Sequence, residues 1–203
     1  MDDTFIHHAT SIFRQAIADY HRKDDVDTEI QNPYVAGSID NRLYLKAWID
    51  TVQWHLEDII RDLHIDPVYA LQLKRRIDRS NQDRTDLVEQ IDSYFRHHYS
   101  MVRQQPDARL NTESPAWALD RLCILQLKIY HMRQQTERTD ASDEHRQRCQ
   151  QKLSVLEEQQ ADLSLAIQQL LDDIAQGRVK MKVYRQMKMY NDPTTNPVLY
   201  AKQ

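Results

Sequence analysis

Asp120, Arg121, Lys128 and His131 stand in a stretch, Trp117 to Met132, whose apolar residues fall on nearly every side of a helical wheel. Such a helix is surrounded by others, and it can hold charges only if they are paired, hydrogen-bonded or facing a cavity. At helical spacing Asp120, Ile124, Leu127 and His131 share one strip, and Arg121, Leu125 and Lys128 share another about 100° round. Two cations seven residues apart call for something anionic opposite: Glu57, Asp58 or Asp78 of a neighbouring helix, or a bound phosphate or carboxylate. Asn81 and Arg84 pose the same problem, because they interrupt the apolar stripe Ala70, Leu73, Ile77, Val88, Ile91 and Phe95 in mid-helix. A buried network that fixes helix register is one account of them, and a ligand pocket between helices is the other. A third group is Trp54-His55-Leu56-Glu57-Asp58, where His55 and Asp58, Asp58 and Arg61, and Glu57 and Arg61 lie three or four residues apart and can touch. A solvated face is the plain reading of that group. Together they define a candidate binding set of His55, Glu57, Asn81, Arg84, Asp120, Arg121, Lys128 and His131 around a small anionic ligand.

Other chemistries leave weaker marks. Glu57-Asp58 on one helix and Glu89-x-x-Asp92 on another loosely resemble the metal-holding carboxylates of all-α, Mg-dependent nucleotide pyrophosphohydrolases, although the upstream glutamate cluster of that class is incomplete. This is the enzymatic alternative, with Glu57, Asp58, Glu89 and Asp92 as metal ligands and Mg²⁺ as cofactor. A di-iron bundle needs two Glu-x-x-His motifs, and the sequence has none. With two glycines in 203 residues, the glycine-rich phosphate loops of the Walker and dinucleotide types are excluded. Cys123 and Cys149 fall on apolar helical positions and form no metal-like pair, so they are expected to be small core residues.

The elements that must position these residues are helices. Phe5, Ala9, Ile12, Phe13, Ala16, Ile17 and Tyr20 predict a first helix over about Thr4 to Lys23. Residues 24–37 read as a loop leading to an N-cap at Ser38, and Leu43, Ala47, Trp48, Val52, Leu56, Ile59 and Leu63 predict a second helix from Ile39 to Leu63. Asp66-Pro67 opens a third helix to about Tyr99, and Ser114-Pro115 opens the central fourth. From a cap at Ser142 the fifth helix runs to Gln176, with Cys149, Leu153, Leu156, Gln160, Leu163, Ile167, Leu170 and Ile174 alternating four and three apart as in a coiled-coil seam. That seam could serve a homodimer, so a structural homodimeric scaffold is the third function class, but packing inside the chain's own bundle is the simpler use. Gly177 is placed to end this helix. The expected fold is all-α, a bundle of about five long, mostly antiparallel helices over residues 4–177 with an extended basic tail over 178–203, together a single domain.

Residues 178–203 hold Arg178, Lys180, Lys182, Arg185, Lys188 and Lys202 against Asp192 alone, a net +5 that leaves −9 for residues 1–177 of the total −4. Docking of the tail on the acidic bundle explains this, as does an anionic ligand. Val179, Val183, Met187 and Tyr190 fit a helix, whereas Arg178 to Val183 alternates as a strand, and period alone does not separate the two. Tyr184, Tyr190, Leu199 and Tyr200 favour docking, with the last residues extended over the bundle. Nucleic acid is not an expected partner of so acidic a chain without a recognition motif. No window approaches the roughly 20 apolar residues of a membrane span, and Met1-Asp2-Asp3-Thr4 lacks the layout of a signal peptide, so a cytoplasmic protein is expected.

Taken together, Trp54-His55-Leu56-Glu57-Asp58, the run Ile77 to Asp92, the stretch Asn111 to Met132 and the run Met181 to Tyr200 resemble the bacterial domain-of-unknown-function family 4254, over roughly residues 5–200. The resemblance implies a cytoplasmic helical protein without assigned catalytic residues, associated with surface-polysaccharide glycosyltransferases. It thereby widens the expected ligand to a sugar nucleotide and the expected role to an accessory of surface-glycan assembly. Ala116 stands where the family's Thr-Glu-Ser-Pro motif continues with glycine, which bears on how closely a ligand could approach that helix start.

Overall fold

Each of the long helices begins at a side-chain oxygen that accepts one of its unpaired N–H groups. The computed structural model describes residues 4–187, 189 and 192–201. Its long helices are α1 (Phe5–Tyr20), α2 (Ile39–Ile59), α3 (Pro67–His98), α4 (Pro115–Glu137) and α5 (Asp143–Ala175). Ser38 accepts from the Asn41 N–H at 3.1 Å, Asp66 from Tyr69 at 2.8 Å, Ser114 from Trp117 at 3.4 Å and Ser142 from His145 at 3.2 Å. Such a cap contributes about 1 kcal/mol, and Pro67 and Pro115 add a preset φ at first positions that need no N–H.

The ends are less faithful to the sequence pattern. α2 stops at Ile59 rather than Leu63. Asp62 accepts the His64 N–H at 2.9 Å, a local bond that competes with the helix, and Leu63 is 94% exposed, so no core contact rewards another turn. α1 stops at Tyr20 rather than Lys23, and the chain turns through Asp24, which takes a left-handed φ of 52°. α5 ends as expected: the Gly177 N–H donates to Ile174 and the Arg178 N–H to Asp173, at 3.0 and 2.8 Å, with Gly177 at φ 72°. A Cβ there would stand 2.3 Å from the Arg103 carbonyl oxygen, so glycine is required twice over.

Three helices run one way and two the other. His8 of α1 meets Asp40 at the start of α2, and His21, just beyond α1, meets His55 near the end of α2, so α1 and α2 are parallel. The long connection 21–38 allows this by returning along the bundle. α4 follows the same direction, with Asp120 against Lys46 and His131 against Trp54. α3 opposes them, since Asp50 meets Arg84 and Ser114 meets Asp92, and α5 folds back on α4, where Arg133 pairs with Glu157.

α4 touches α1, α2, α3 and α5, which makes it the central rod. Leu119, Leu122 and Cys123 are buried with Phe13, Tyr44, Val88 and Ile91 in the main core. The α5 seam is spent inside the chain, with Leu153 packed on Leu125 and Ile129 of α4. From Arg178 to Met187 the described tail is neither helix nor ladder strand. It holds an isolated parallel bridge between Arg109 and Val179, a turn at residues 193–195 and the four-residue helix α6 (Pro197–Tyr200), capped by Asn196, where a fully extended end was expected. The tail touches the bundle through Arg178 on Asp173 and through the Gln186 N–H on Glu89. Lys188, Tyr190 and Lys202, which entered the charge and periodicity arguments, lie outside the described residues. Among the described residues no helix is long and apolar enough to cross a membrane.

Candidate functional site

The charges on α4 resolve into two separate uses. Arg121 and Lys128 are exposed, and Arg121 meets Glu113 at 2.8 Å at the approach to its own helix. The cation strip therefore faces outward, and the anion demanded by Arg121 is a local one. The other strip, Asp120, Ile124, Leu127 and His131, faces α2 and α3. Ile124 and Leu127 line a cleft of about 470 Å³, together with Asp50, Gln53, Trp54, Glu57, Asp58 and Arg61 of α2 and its exit and Arg84 of α3.

At one end of this cleft the helices gather four charges, of which Lys46, Asp50 and Asp120 are buried and Arg84 is partly exposed. Lys46 is 1% exposed and Asp120 4%. The Lys46 ammonium donates to Asp50 and, at 2.9 Å, to Asp120 Oδ1. Arg84 donates through Nε and Nη2 to the two oxygens of Asp120, at 3.1 and 2.6 Å, and its Nε lies 3.2 Å from Asp50 Oδ1. Two cations and two carboxylates thus cancel. Burial alone would pull the Lys46 pKa down, but Asp50 and Asp120 more than reverse this and raise it above its ordinary value. Cys123 sits beside them, and burial pushes its thiol well up, so it stays a neutral core residue as its position on the wheel implies. Asp50 and Arg84 also line the cleft, whereas Lys46 and Asp120 are buried against them.

At the other end three imidazoles converge. His21 follows the last residue of α1, His55 stands on α2 and His131 on α4, and one ring nitrogen from each lies within 4.8 Å of the others. His21 Nε2 and His55 Nε2 are 3.1 Å apart. His131 stacks on Trp54 at 4.9 Å, Tyr20 on His55 at 5.1 Å, and Tyr130 covers His21 at 4.3 Å. Burial lowers the pKa of His55 and of His131, which favours their neutral forms.

Of the residues nominated from sequence, Arg84 and Glu57 line the cleft with Asp120 buried against Arg84, His55 and His131 meet in the imidazole cluster beside it, and Asn81 accepts from Gln53, a cleft residue, at 2.8 Å. Arg121 and Lys128 do not join them. The four carboxylates of the enzymatic alternative are not brought together either. Glu57 and Asp58 line the cleft, but Gln53 opposes Asn81 and Asp50 opposes Arg84, so Glu89 and Asp92 lie further along α3. Asp92 is committed to the start of α4, accepting the Ser114 hydroxyl at 2.6 Å and the Ala116 N–H at 3.2 Å. That carboxylate fills the helix start at which a glycine in place of Ala116 bore on ligand approach.

Lys46, Asp50, Trp54 and His21 were missed. The signal for the first two was present: Lys46 and Asp50 are four apart, next to the apolar stripe Leu43-Ala47, where an unpaired lysine has no place. His21 carries no such signal, because it lies past the last turn of α1 and its neighbours come from elements far away in sequence.

An all-α bundle with a neutral, largely buried quartet of charges and a histidine cluster flanking one cleft defines the class. Residues 40–183 match the model of a family described as protein of unknown function (DUF4254), and the chain belongs to that family. No curated protein and no solved structure matches it.

Proposed function

We propose that the protein is a binding or accessory protein whose α2–α3–α4 cleft takes a small, hydroxyl-rich ligand of the sugar class. The observation that carries this reading is the composition of one wall-to-wall site. The carboxylates of Asp50, Glu57 and Asp58, the guanidinium of Arg84 and the amide of Gln53 line it together with the indole of Trp54 and the apolar side chains Ile124 and Leu127. Carboxylates accept sugar hydroxyls in pairs, guanidinium and amide donate back, and the apolar wall meets the C–H face of a pyranose. A volume of about 470 Å³ suits one or two such rings.

The same wall argues for where a phosphate would go. Three carboxylates face the cleft against Arg61 and Arg84, and Arg84 is already held by Asp50 and Asp120. Arg61, exposed at the rim, is likewise paired with Glu57 and Asp58. An anionic group is therefore repelled from the cleft interior and meets its most accessible cation at Arg61, which leaves the sugar end of a sugar nucleotide as the part recognised inside. Such a ligand is compatible with the accessory role in surface-glycan assembly that the family resemblance implies.

Thermal denaturation against neutral sugars, sugar nucleotides and pyrophosphate with Mg²⁺ tests the reading. A ligand at 100 times its Kd adds about 2.7 kcal/mol, a rise of roughly 5–10 °C in Tm for a chain of this size. Glu57→Gln, a half-exposed change, should abolish that shift without lowering the unliganded Tm. If no sugar-bearing compound shifts the wild type, or Glu57→Gln shifts equally, the cleft is not the site. A response to pyrophosphate and Mg²⁺ alone would instead favour the hydrolase.

A further inference from the structure

The imidazole cluster beside the cleft is arranged in a way that hydrogen bonding among its own members does not explain. His21 Nδ1 lies 2.6 Å from the Ile17 carbonyl oxygen, which can only accept, so Nδ1 carries the proton and Nε2 presents a lone pair. His131 Nδ1 lies 3.2 Å from the side-chain oxygen of Gln134, which fixes the same tautomer, and its Nε2 is buried without a hydrogen-bond partner. His55 Nε2 faces His21 Nε2 at 3.1 Å and Asp24 Oδ1 at 3.6 Å, and Asp24 Oδ1 is also 4.0 Å from His21 Nε2. Ring nitrogens of three histidines from three different parts of the chain thus gather in one small volume. His21 and His131 present lone pairs, and a proton on His55 Nε2 would satisfy His21 while leaving the buried His131 Nε2 without a partner.

We infer that His21, His55 and His131 bind a divalent transition-metal ion of the Zn²⁺ kind through their Nε2 atoms, with Asp24 placed to supply the fourth ligand.

The donor set and its supports fit that ion. Neutral imidazole suits borderline metals, whereas Mg²⁺ and Ca²⁺ take oxygen. Zn–N bonds of about 2.0–2.1 Å in a tetrahedron put ligand nitrogens roughly 3.3 Å apart, close to the 3.1 Å between His21 and His55. The third nitrogen, on His131, lies at most 4.8 Å from the other two, so the rings must close by up to about 1.5 Å on binding. The Nδ1–H groups on Ile17 and Gln134 are the outer bonds that orient metal-binding histidines. The stacked rings of Trp54, Tyr20 and Tyr130 hold the imidazoles in place. Asp24 sits on the open side in its left-handed turn, with a side chain 60% exposed and free to advance. The fold explains why these residues meet: α1, α2 and α4 are parallel, so their C-terminal parts gather at one end.

The full-length protein, stripped with a chelator and dialysed, is titrated with Zn²⁺ by calorimetry and with Co²⁺ by visible absorption. One ion per chain and the intense visible bands of tetrahedral Co²⁺ are expected, with a Tm rise from Zn²⁺ that millimolar Mg²⁺ does not give. His21→Gln, His55→Gln and His131→Gln should each weaken Zn²⁺ by at least roughly 100-fold, because loss of an outer-sphere bond alone costs 10- to 100-fold. Asp24→Asn should weaken it less, and the exposed His7→Gln and His64→Gln not at all. The Co²⁺ spectrum of the wild type needs no variant, so a misfolded variant does not remove the test. Octahedral or absent Co²⁺ bands, less than equimolar binding, or equal loss in the His7 and His64 variants would overturn the assignment.

Discussion

Asp120→Asn is the most informative single change in the buried quartet. In the wild type Lys46 and Arg84 are balanced by Asp50 and Asp120, and Lys46, at 1% exposure, has no route to water. The variant keeps the shape but leaves two cations on Asp50 alone, a net buried +1. Breaking a buried ion pair by removing one partner costs about 3–5 kcal/mol, and the amide oxygen still accepts one bond, which points to the lower end, about 3 kcal/mol. With a urea slope of about 2–3 kcal/mol/M for a chain of this length, the midpoint should fall by about 1–1.5 M in equilibrium unfolding followed by circular dichroism. Adding Lys46→Met to Asp120→Asn restores neutrality, since Arg84 and Asp50 remain paired and the thioether chain fills the volume of the lysine stem. The double variant should therefore be more stable than Asp120→Asn alone. The electrostatic account fails if Asp120→Asn moves the midpoint by less than about 0.3 M, or if the two changes simply add.

Asp92 gives a pH prediction. Burial raises its pKa against the opposing bonds from Ser114 and Ala116, so the folded state holds its proton more tightly than the unfolded chain. Its contribution is then most favourable at low pH and declines as pH rises from the ordinary carboxylate value through the raised folded one. The urea midpoint of the wild type relative to Asp92→Asn should accordingly fall between pH 4 and pH 7, and a rise would refute it. Gly177→Ala should cost about 2 kcal/mol or more, from a left-handed φ and the clash with Arg103, whereas Gly37→Ala, with nothing within 4 Å, should cost about 1 kcal/mol, both measured by urea midpoint. Equal losses would mean that the backbone at Arg103 gives way. Cys123→Ala should be tolerated at a cost of about 1–2 kcal/mol with the charge quartet intact, since the thiol is neutral and acts as core volume; unfolding would show a polar role instead.

The helices and their starts were legible because caps and apolar period are local signals. Ser38, Asp66, Ser114 and Ser142 each do in the structure what the sequence assigns them. The direction of α2 relative to α1 was not legible: nothing in residues 21–38 says whether that connection turns back or travels the length of the bundle. The site suffered for that reason. Arg84 and Asp120 were visible as polar residues on apolar faces, but their neighbours Lys46 and Asp50 could be set opposite only once α2 and α4 were known to be parallel. Arg121 and Lys128 misled because a wheel apolar nearly all round does not say which narrow sector reaches the surface. His55 and His131 were named as members of one site without a reason to join them, and His21 is the residue that does so.

The division of labour along α4 constrains the ligand more than the cleft volume does. Arg84 is the cation at the floor of the cleft, yet it is also half of the balance that keeps Asp120 and Lys46 buried. A ligand anion that drew Arg84 away would leave Asp120 with Lys46 alone and Asp50 facing the incoming charge. Binding would then have to offset part of the roughly 3–5 kcal/mol that holds the quartet together. A hydroxyl-rich ligand imposes no such cost, because it can donate to Asp50 and Glu57 and accept from Arg84 while the guanidinium stays on Asp120. The two kinds of ligand leave opposite signatures. Neutral sugars should raise the Tm of the wild type and have little effect on the salt dependence of stability, whereas a floor-bound phosphate should bind better to Asp50→Asn than to the wild type. If pyrophosphate gains affinity in Asp50→Asn and sugars lose none, the floor of the cleft is an anion site held shut by its own carboxylate, and the sugar reading gives way.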